Sequence, residues 1–379
     1  MQMSVIHRTA AAALTASMAV AAAGLAIAPP AAGAIAHQPS SFIGQFHKLS
    51  TIGSTVPRNG DVNPYGMVLV PRSRGRLHRG DVLISNFNNK ANLQGTGTTI
   101  VQVSPGGHRT VFARIRASRL PGACPGGVGL TTGLVEVHGW IIVGSLPTSN
   151  GMSRTAKAGC LIVLDDHGRA WETFSGHGIN GPWDMTALRA GPFADVFVSN
   201  VLNGTVAAKG AVVHRGTVLR LTLRFRPGHA PRLLATTKVG SGFAERTDPA
   251  ALVVGPTGLG LGRHGTLYVA SSAGNRIAAI PHALDLFHSG GTGRTVSRNG
   301  ALSTPLGLTI APNGNVLTVN GGNGKIVEIT PGGHQVATRL LDSSGKPPGA
   351  GALFGLVVKR HGRGVYYVDD ATNTLRLLH

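Results

Sequence analysis

In a chain of 379 residues with 13% charged residues, 55 glycines and 22 prolines, the punctuation is that of short strands and many turns. No sustained 3.6-residue apolar period follows the first 36 residues, which excludes a helical fold. The 35 Lys and Arg against 15 Asp and Glu leave a formal charge of +20. The basic residues are scattered through turns and aromatics make up only 5%, which argues against specific nucleic-acid binding and leaves adhesion to an anionic envelope polymer as the partner that charge alone suggests.

Met1 to Ala36 reads as a secretory signal. His7 and Arg8 precede an Ala-rich apolar run to Ala28, and small-residue cleavage patterns stand at Ala32-Gly33-Ala34 and Ala34-Ile35-Ala36. The expected location is secreted, periplasmic or cell-envelope, with no transmembrane segment after cleavage, since no later apolar stretch is long enough. Residues 37–379 contain no Pro/Ser-rich or charged linker and are read as one domain, expected to act as a monomer.

That domain begins with a spare strand, Gln45 to Ile52. Six similar segments follow: PYGMVLV from Pro64, TTGLVEV from Thr131, PWDMTAL from Pro182, PTGLGLG from Pro256, PLGLTIA from Pro305 and LFGLVVK from Leu353. Their third column is Gly66, Gly133, Asp184, Gly258, Gly307 and Gly355, and the fourth is Met67, Leu134, Met185, Leu259, Leu308 and Leu356. Each leads through a turn to a second strand that ends at Asn86, Gly144, Asn200, Ser271, Asn320 or Asp369. Two strand-turn-strand pieces, Thr99 to Ile115 and Lys325 to Leu341, share Pro-Gly-Gly-His at the turn. The third column recurs at as little as 48 residues (355−307), the length of a four-stranded propeller blade. The expected fold is therefore all-β, a six-bladed β-propeller of four-stranded antiparallel blades. The blades lie near 62–116, 128–175, 180–240, 250–299, 303–342 and 352–379, the last completed by 43–53, so that the N-terminal strand closes the ring.

The run PLGLTIAPNGNVLTVNGGNGKIVEITPGG, Pro305 to Gly333, resembles an NHL repeat, and the whole of 37–379 is similar to six-bladed propellers of the NHL and TolB-like type. The resemblance implies a channel lined by the first strands and two faces of unequal function. Loops after the second strands are long in the first three blades, Asn86 to Thr98, Gly144 to Gly159 and Asn200 to Gly216, and short in the others. Three neighbouring long loops on one face suggest a wall beside the channel mouth, although surface loops tolerate insertion cheaply. Cys124 and Cys160, the only cysteines, are expected to pair in an exported chain and pin the second of these loops, the alternative being two buried thiols.

The one break in the glycine column is Asp184, in Gly181-Pro182-Trp183-Asp184. A carboxylate there needs a cation, a polar ligand or a hydrogen bond from a neighbouring blade. Asn86, Asn200, Asn320 and Asp369 could add oxygen ligands for Ca²⁺ or sugar hydroxyls around the same mouth, though Asn and Asp are also ordinary turn residues. Of the histidines, His108, His334, His167, His229, His138, His264 and His361 fall in turns of the opposite face, and only His177 and His214 should reach the long-loop face. Two histidines without a third ligand do not make a zinc site, so no metal or other cofactor is assigned beyond that Ca²⁺ possibility. The candidate ligand-binding set is thus Asp184, Trp183, Asn86, Asn200, Asn320, Asp369, His177 and His214, serving an unidentified small-molecule, glycan or protein ligand.

Binding without turnover is the leading function. The alternative is an enzyme, because six-bladed relatives include gluconolactonase-like metal hydrolases and an amidating lyase. The former would require a Glu at the start of an inner strand. Those starts carry none, and Glu136, Glu172, Glu245 and Glu328 sit elsewhere. A third possibility is envelope adhesion through the positive charge.

Overall fold

The computed structural model describes residues 41–379, so the signal segment of 1–36 lies outside the described residues. The described chain is a ring of six antiparallel sheets. Blade 1 is β2 (Val62–Leu69), β3 (Val82–Asn88), β4 (Thr99–Val103) and β5 (Arg109–Arg114). Blade 2 is β6 (Leu130–Val137), β7 (Trp140–Ser145), β8 (Cys160–Leu164) and β9 (Ala170–Phe174). Blade 3 has five strands, β10 (Gly181–Ala190), β11 (Phe193–Val201), β12 (Val213–Arg226), β13 (His229–Asp248) and β14 (Leu252–Val254). Blades 4 and 5 are β15 (Pro256–Leu261), β16 (Leu267–Ser271), β17 (Arg276–Ile280), β18 (Arg294–Arg298) and β19 (Pro305–Ile310), β20 (Val316–Asn320), β21 (Lys325–Ile329), β22 (Gln335–Leu340). Blade 6 is β23 (Leu353–Val358), β24 (Val365–Asp369) and β25 (Thr374–Leu378), with β1 (Leu49–Ser54) as its outer strand. Among the described residues no helix is long and apolar enough to cross a membrane.

The middle strands β3, β8, β16, β17, β20 and β24 are buried at every position, because each blade is covered on both faces by its neighbours. Their Val, Ile and Leu runs form the core between blades, each such side chain contributing roughly 1.5–3 kcal/mol.

In all six blades the ladder between first and second strands slips at the third column, between Pro64 and Met67, Leu130 and Leu134, Pro182 and Met185, Pro256 and Leu259, Pro305 and Leu308, and Leu353 and Leu356. The bulge turns the strand in toward the axis and frees backbone groups. Second-strand hydroxyls take several of them up: Gly66 N donates to Ser85 Oγ at 3.1 Å, Asp184 N to Ser199 Oγ at 3.0 Å, and Thr318 Oγ1 donates to Gly307 O at 2.9 Å. The glycines are there because neighbouring first strands nearly touch. A Cβ on Gly258, Gly307 or Gly355 would stand 2.3, 2.1 or 2.1 Å from the carbonyl oxygen of Leu306, Phe354 or Tyr65.

The two Pro-Gly-Gly-His turns are built alike. Ser104 N and Thr330 N each donate to the carbonyl of the histidine four residues on at 2.9 Å, and Gly107 and Gly333 have φ of 85° and 98°. A Cβ at either would meet the outer strand of the preceding blade, Ile52 O at 2.2 Å or Val296 O at 2.1 Å.

The ring closes as expected. β1 pairs antiparallel with β25 from Leu49 opposite Leu378 to Ser54 opposite Thr374. The chain before β1 is anchored on blade 5, where the buried Glu328 accepts from Phe42 N at 2.7 Å, Ile43 N at 2.8 Å, Ser41 Oγ at 2.8 Å, and the side-chain amides of Asn313 and Asn315 at 3.0 and 2.6 Å. Burial pushes the Glu328 carboxyl up, but these donors outweigh it and hold the group below the ordinary carboxylate range. Cys124 and Cys160 are joined by a disulfide across 36 residues.

Glu328→Gln turns one oxygen into a donor that faces other donors, and is expected to cost about 2–4 kcal/mol at neutral pH. A group with a lowered folded pKa contributes fully above its unfolded pKa and loses its contribution as pH falls through the folded value. The gap between wild type and variant in urea unfolding should therefore shrink in acid. Removing the disulfide with Cys124→Ala and Cys160→Ala should lower stability by about 3–4 kcal/mol through the entropy of the opened loop, seen as a lower urea midpoint.

Candidate functional site

The first strands begin at the face that carries the long loops, and their opening residues close the channel there. Tyr65 stacks on Phe354 with ring centroids 3.9 Å apart and meets Trp183 edge-on at 5.7 Å and Phe87 at 5.0 Å. Tyr65 and Trp183 are 1% exposed. Ala251, Leu252, Val253 and Val254 pack into the same apolar cluster. They belong to a hairpin in which Arg246–Asp248 of β13 pairs with β14. All three long loops hold that hairpin: Gln94 Nε2 donates to Pro249 O at 2.6 Å, Ser153 Oγ to Leu252 O at 2.8 Å, and Asn203 N to the Glu245 carboxylate at 3.0 Å. The long loops thus converge as the sequence suggests, on a cap rather than an open mouth.

The second-strand ends do not line this mouth. Asn86, Asn200, Asn320 and Asp369 are wholly buried, each inside its own blade. Asn86 donates to Thr55 O and Thr99 Oγ1, Asn200 to Gly178 O and Thr217 Oγ1, and Asn320 to Ala301 O and Asn323 Oδ1, while Asp369 accepts from Arg376 Nη1 at 2.8 Å. They tie the second-strand ends to neighbouring strands and to the segments that lead into the first strands, and offer no shared cage for Ca²⁺. A divalent cation at this mouth, as gluconolactonase-like propellers imply, does not fit Tyr65, Trp183, Leu306 and Phe354, which present no carboxylate. His177 and His214 are exposed, the first in the loop after β9 and the second on β12, and neither meets Asp184. Among the described residues, Asp165, Asp166 and His167 are the group of three spaced to hold a metal, in the β8–β9 turn of the other face.

Beneath the aromatic cap lies a cavity of about 230 Å³ lined by the six first strands. Exposure rises along those strands, from buried starts to half-buried ends at Met67–Leu69, Thr309–Ile310 and Val357–Val358, so the channel is reached from the face opposite the long loops. Asp184, half-buried, is in its wall. Its Oδ2 accepts from Leu259 N in blade 4 at 2.9 Å, one of the two outcomes its position allowed. Burial pushes its carboxyl up to about 7, against the lowering effect of the Leu259 and Met185 N–H groups. The neighbouring first strands of blades 2 and 3 stand further apart than the others: a Cβ on Gly133 would be 3.5 Å from Trp183 O, against 2.1–2.3 Å at the tight contacts. At the open rim Glu136 pairs with Arg189 and accepts from Gly139 N at 2.6 Å.

The sequence reading missed the capping hairpin and the direction in which the channel opens. The signal for the first was Leu252-Val253-Val254, an apolar run directly before the Gly255-Pro256 that opens β15.

No family model matches the chain, and no curated protein matches it. Solved structures share the six-bladed fold. XC5397 from Xanthomonas campestris, described as a gluconolactonase, is 14% identical with a TM-score of 0.52 over 87% of this chain and 88% of its own. A luciferin-regenerating enzyme is 11% identical with a TM-score of 0.51 over 88% and 95%. A streptogramin B lyase is 16% identical with a TM-score of 0.49 over 90% and 99%.

Glu245 and Asp370 join Asp184 in being pushed up to about 7, both by burial, with Asp369's charge adding at Asp370. Between the ordinary carboxylate range and about pH 7 the folded chain holds protons that the unfolded chain has released, so these groups stabilise fully below that window and less as pH rises through it. Glu245→Gln, which cannot ionise, should gain on wild type by on the order of 2–3 kcal/mol between pH 5 and pH 8. Paired urea titrations at the two pH values measure this.

Proposed function

We propose that the protein is a small-molecule hydrolase or lyase that works in the central channel, entered from the face opposite the long loops, with Asp184 as the proton-transferring group. The observation that carries this reading is a carboxyl in the wall of an internal cavity whose pKa of about 7 leaves both protonation states populated at neutral pH. Such a group donates to a leaving oxygen when neutral and accepts from water or a substrate carbon when ionised. Apolar walls from Met67, Leu134, Leu259, Leu308 and Leu356 exclude bulk water and keep the carboxyl poised. The gluconolactonase with the same six-bladed fold supports the hydrolase side of this reading. The disulfide suits an oxidising compartment, in keeping with a secreted or envelope location.

A second reading, a binding module without turnover, is favoured by the Leu259 N–H bond to Asp184, which gives the carboxylate a structural task between blades 3 and 4.

Purified protein assayed against sugar lactones and other small esters should show a kcat/KM that follows one group of apparent pKa near 7. Asp184→Asn should lose about 100-fold or more without loss of thermal stability. Unchanged turnover in Asp184→Asn would remove Asp184 from catalysis. Saturable binding of a lactone that depends on Asp184, with no product, would favour the second reading.

A further inference from the structure

The far face carries a second cavity, an open cleft of about 580 Å³ lined by turns of blades 2 and 3 and by Arg74 of blade 1, which the channel reading does not use. This volume lies within the range of small-ligand sites, roughly 300–1,000 Å³. Trp171 lies on its wall with 48% of its surface exposed, in a chain with three tryptophans. Trp140 stands 6.1 Å away at 81°, and Phe225 packs against the His138 ring at 4.7 Å.

The exposed indole is held in place. Trp171 Nε1 donates to Asp165 Oδ2 at 2.9 Å, and Asp165 Oδ1 accepts from His167 N at 2.9 Å and Arg169 N at 2.8 Å. Asp166 is bound by Arg74 Nε and His167 Nδ1, both at 2.7 Å. Both carboxylates are therefore already satisfied and do not invite a cation. Arg226, which is exposed and lines the cleft, has no ion-pair partner among the described residues, and His138 Nε2 has no hydrogen-bond partner.

We propose that this cleft binds an acidic sugar, a pyranose stacked on the face of Trp171 with its carboxylate directed to Arg226. A pre-oriented indole offers the flat apolar surface that the C–H face of a sugar ring covers, at small entropic cost. An unpaired guanidinium beside it matches a carboxylate. The inference is independent of the channel reading, because no residue in it touches Asp184.

The test is titration of the full chain with tetragalacturonate and a hyaluronan tetrasaccharide, followed by tryptophan fluorescence and calorimetry, with neutral cellotetraose alongside. The acidic oligosaccharides should bind saturably and persist at about 0.5 M salt. Trp171→Ala should weaken them by about tenfold or more, and Trp171→Phe should restore most of the affinity. Arg226→Ala should narrow the preference for acidic over neutral sugar. Trp171 is exposed, so its variants keep the fold, which thermal unfolding checks. Three results would each overturn the proposal: no acidic oligosaccharide binding up to about 10 mM, equal binding by Trp171→Ala, or binding that vanishes with salt and ignores Trp171, the mark of diffuse charge. A flat aromatic anion that binds where no sugar does would overturn it as well.

Discussion

Everything in this ring depends on the seam where its last blade is completed by its first strand. An open array of six sheets would expose β25 as an unpaired edge and leave the faces of blades 1 and 6 uncovered. Pairing β1 with β25 removes that edge, and Glu328 fixes the approach to β1 by gathering five donors on one buried carboxylate. Closure then forces the first strands together at the axis. The seam brings Tyr65 of blade 1 onto Phe354 of blade 6, and Gly355 is needed because Tyr65 O comes within 2.1 Å of where its Cβ would stand. The stacked pair is the base of the cap. The interaction that closes the ring therefore also shuts one end of the channel.

With one end shut, the environment of Asp184 follows. The first strands crowd one another from blade 4 round to blade 1 and stand further apart between blades 2 and 3, while the Asp184 carboxyl bridges from blade 3 to Leu259 N of blade 4. The same side of the ring carries the long loops and the capping hairpin. Their packing buries Glu245 and Tyr65, and the capped channel buries Asp184, so that three carboxyls including Asp370 reach about 7. Desolvation leads at each of them. Their protons are thus linked to closure of the cap.

The architecture was legible because its cause is periodic. Third-column glycines, the apolar fourth column and paired Pro-Gly-Gly-His turns each reflect a contact repeated from blade to blade, whether a near-touching carbonyl or a preceding outer strand, and such contacts leave the same residue at the same spacing. The spare strand at Gln45 to Ile52 was readable for the same reason: the sixth unit lacked one. The site was legible only at Asp184, where the period breaks. Its surroundings were not, because the hairpin over the mouth pairs β13 with β14 by a contact used once. Asn86, Asn200, Asn320 and Asp369 looked like a polar ring in sequence, yet each is buried and spent on hydrogen bonds to nearby chain before it can face the axis. Trp171 carried no signal at all, as one aromatic on an outer strand has the pattern of an ordinary core residue until the neighbouring blade is seen to leave it uncovered.

The charge of the chain also finds its place in this arrangement. With 35 basic against 15 acidic residues, acidic groups of the far face are consumed locally: Glu136 by Arg189, Asp166 by Arg74 and His167, and Asp165 by backbone and indole N–H groups. The carboxyl in the channel wall has no ion-pair partner among the described residues and holds its proton up to about pH 7. The β6–β7 turn ties the two cavities together, since Glu136 at the channel rim accepts from Gly139 N, next to the His138 and Trp140 that line the aromatic cleft.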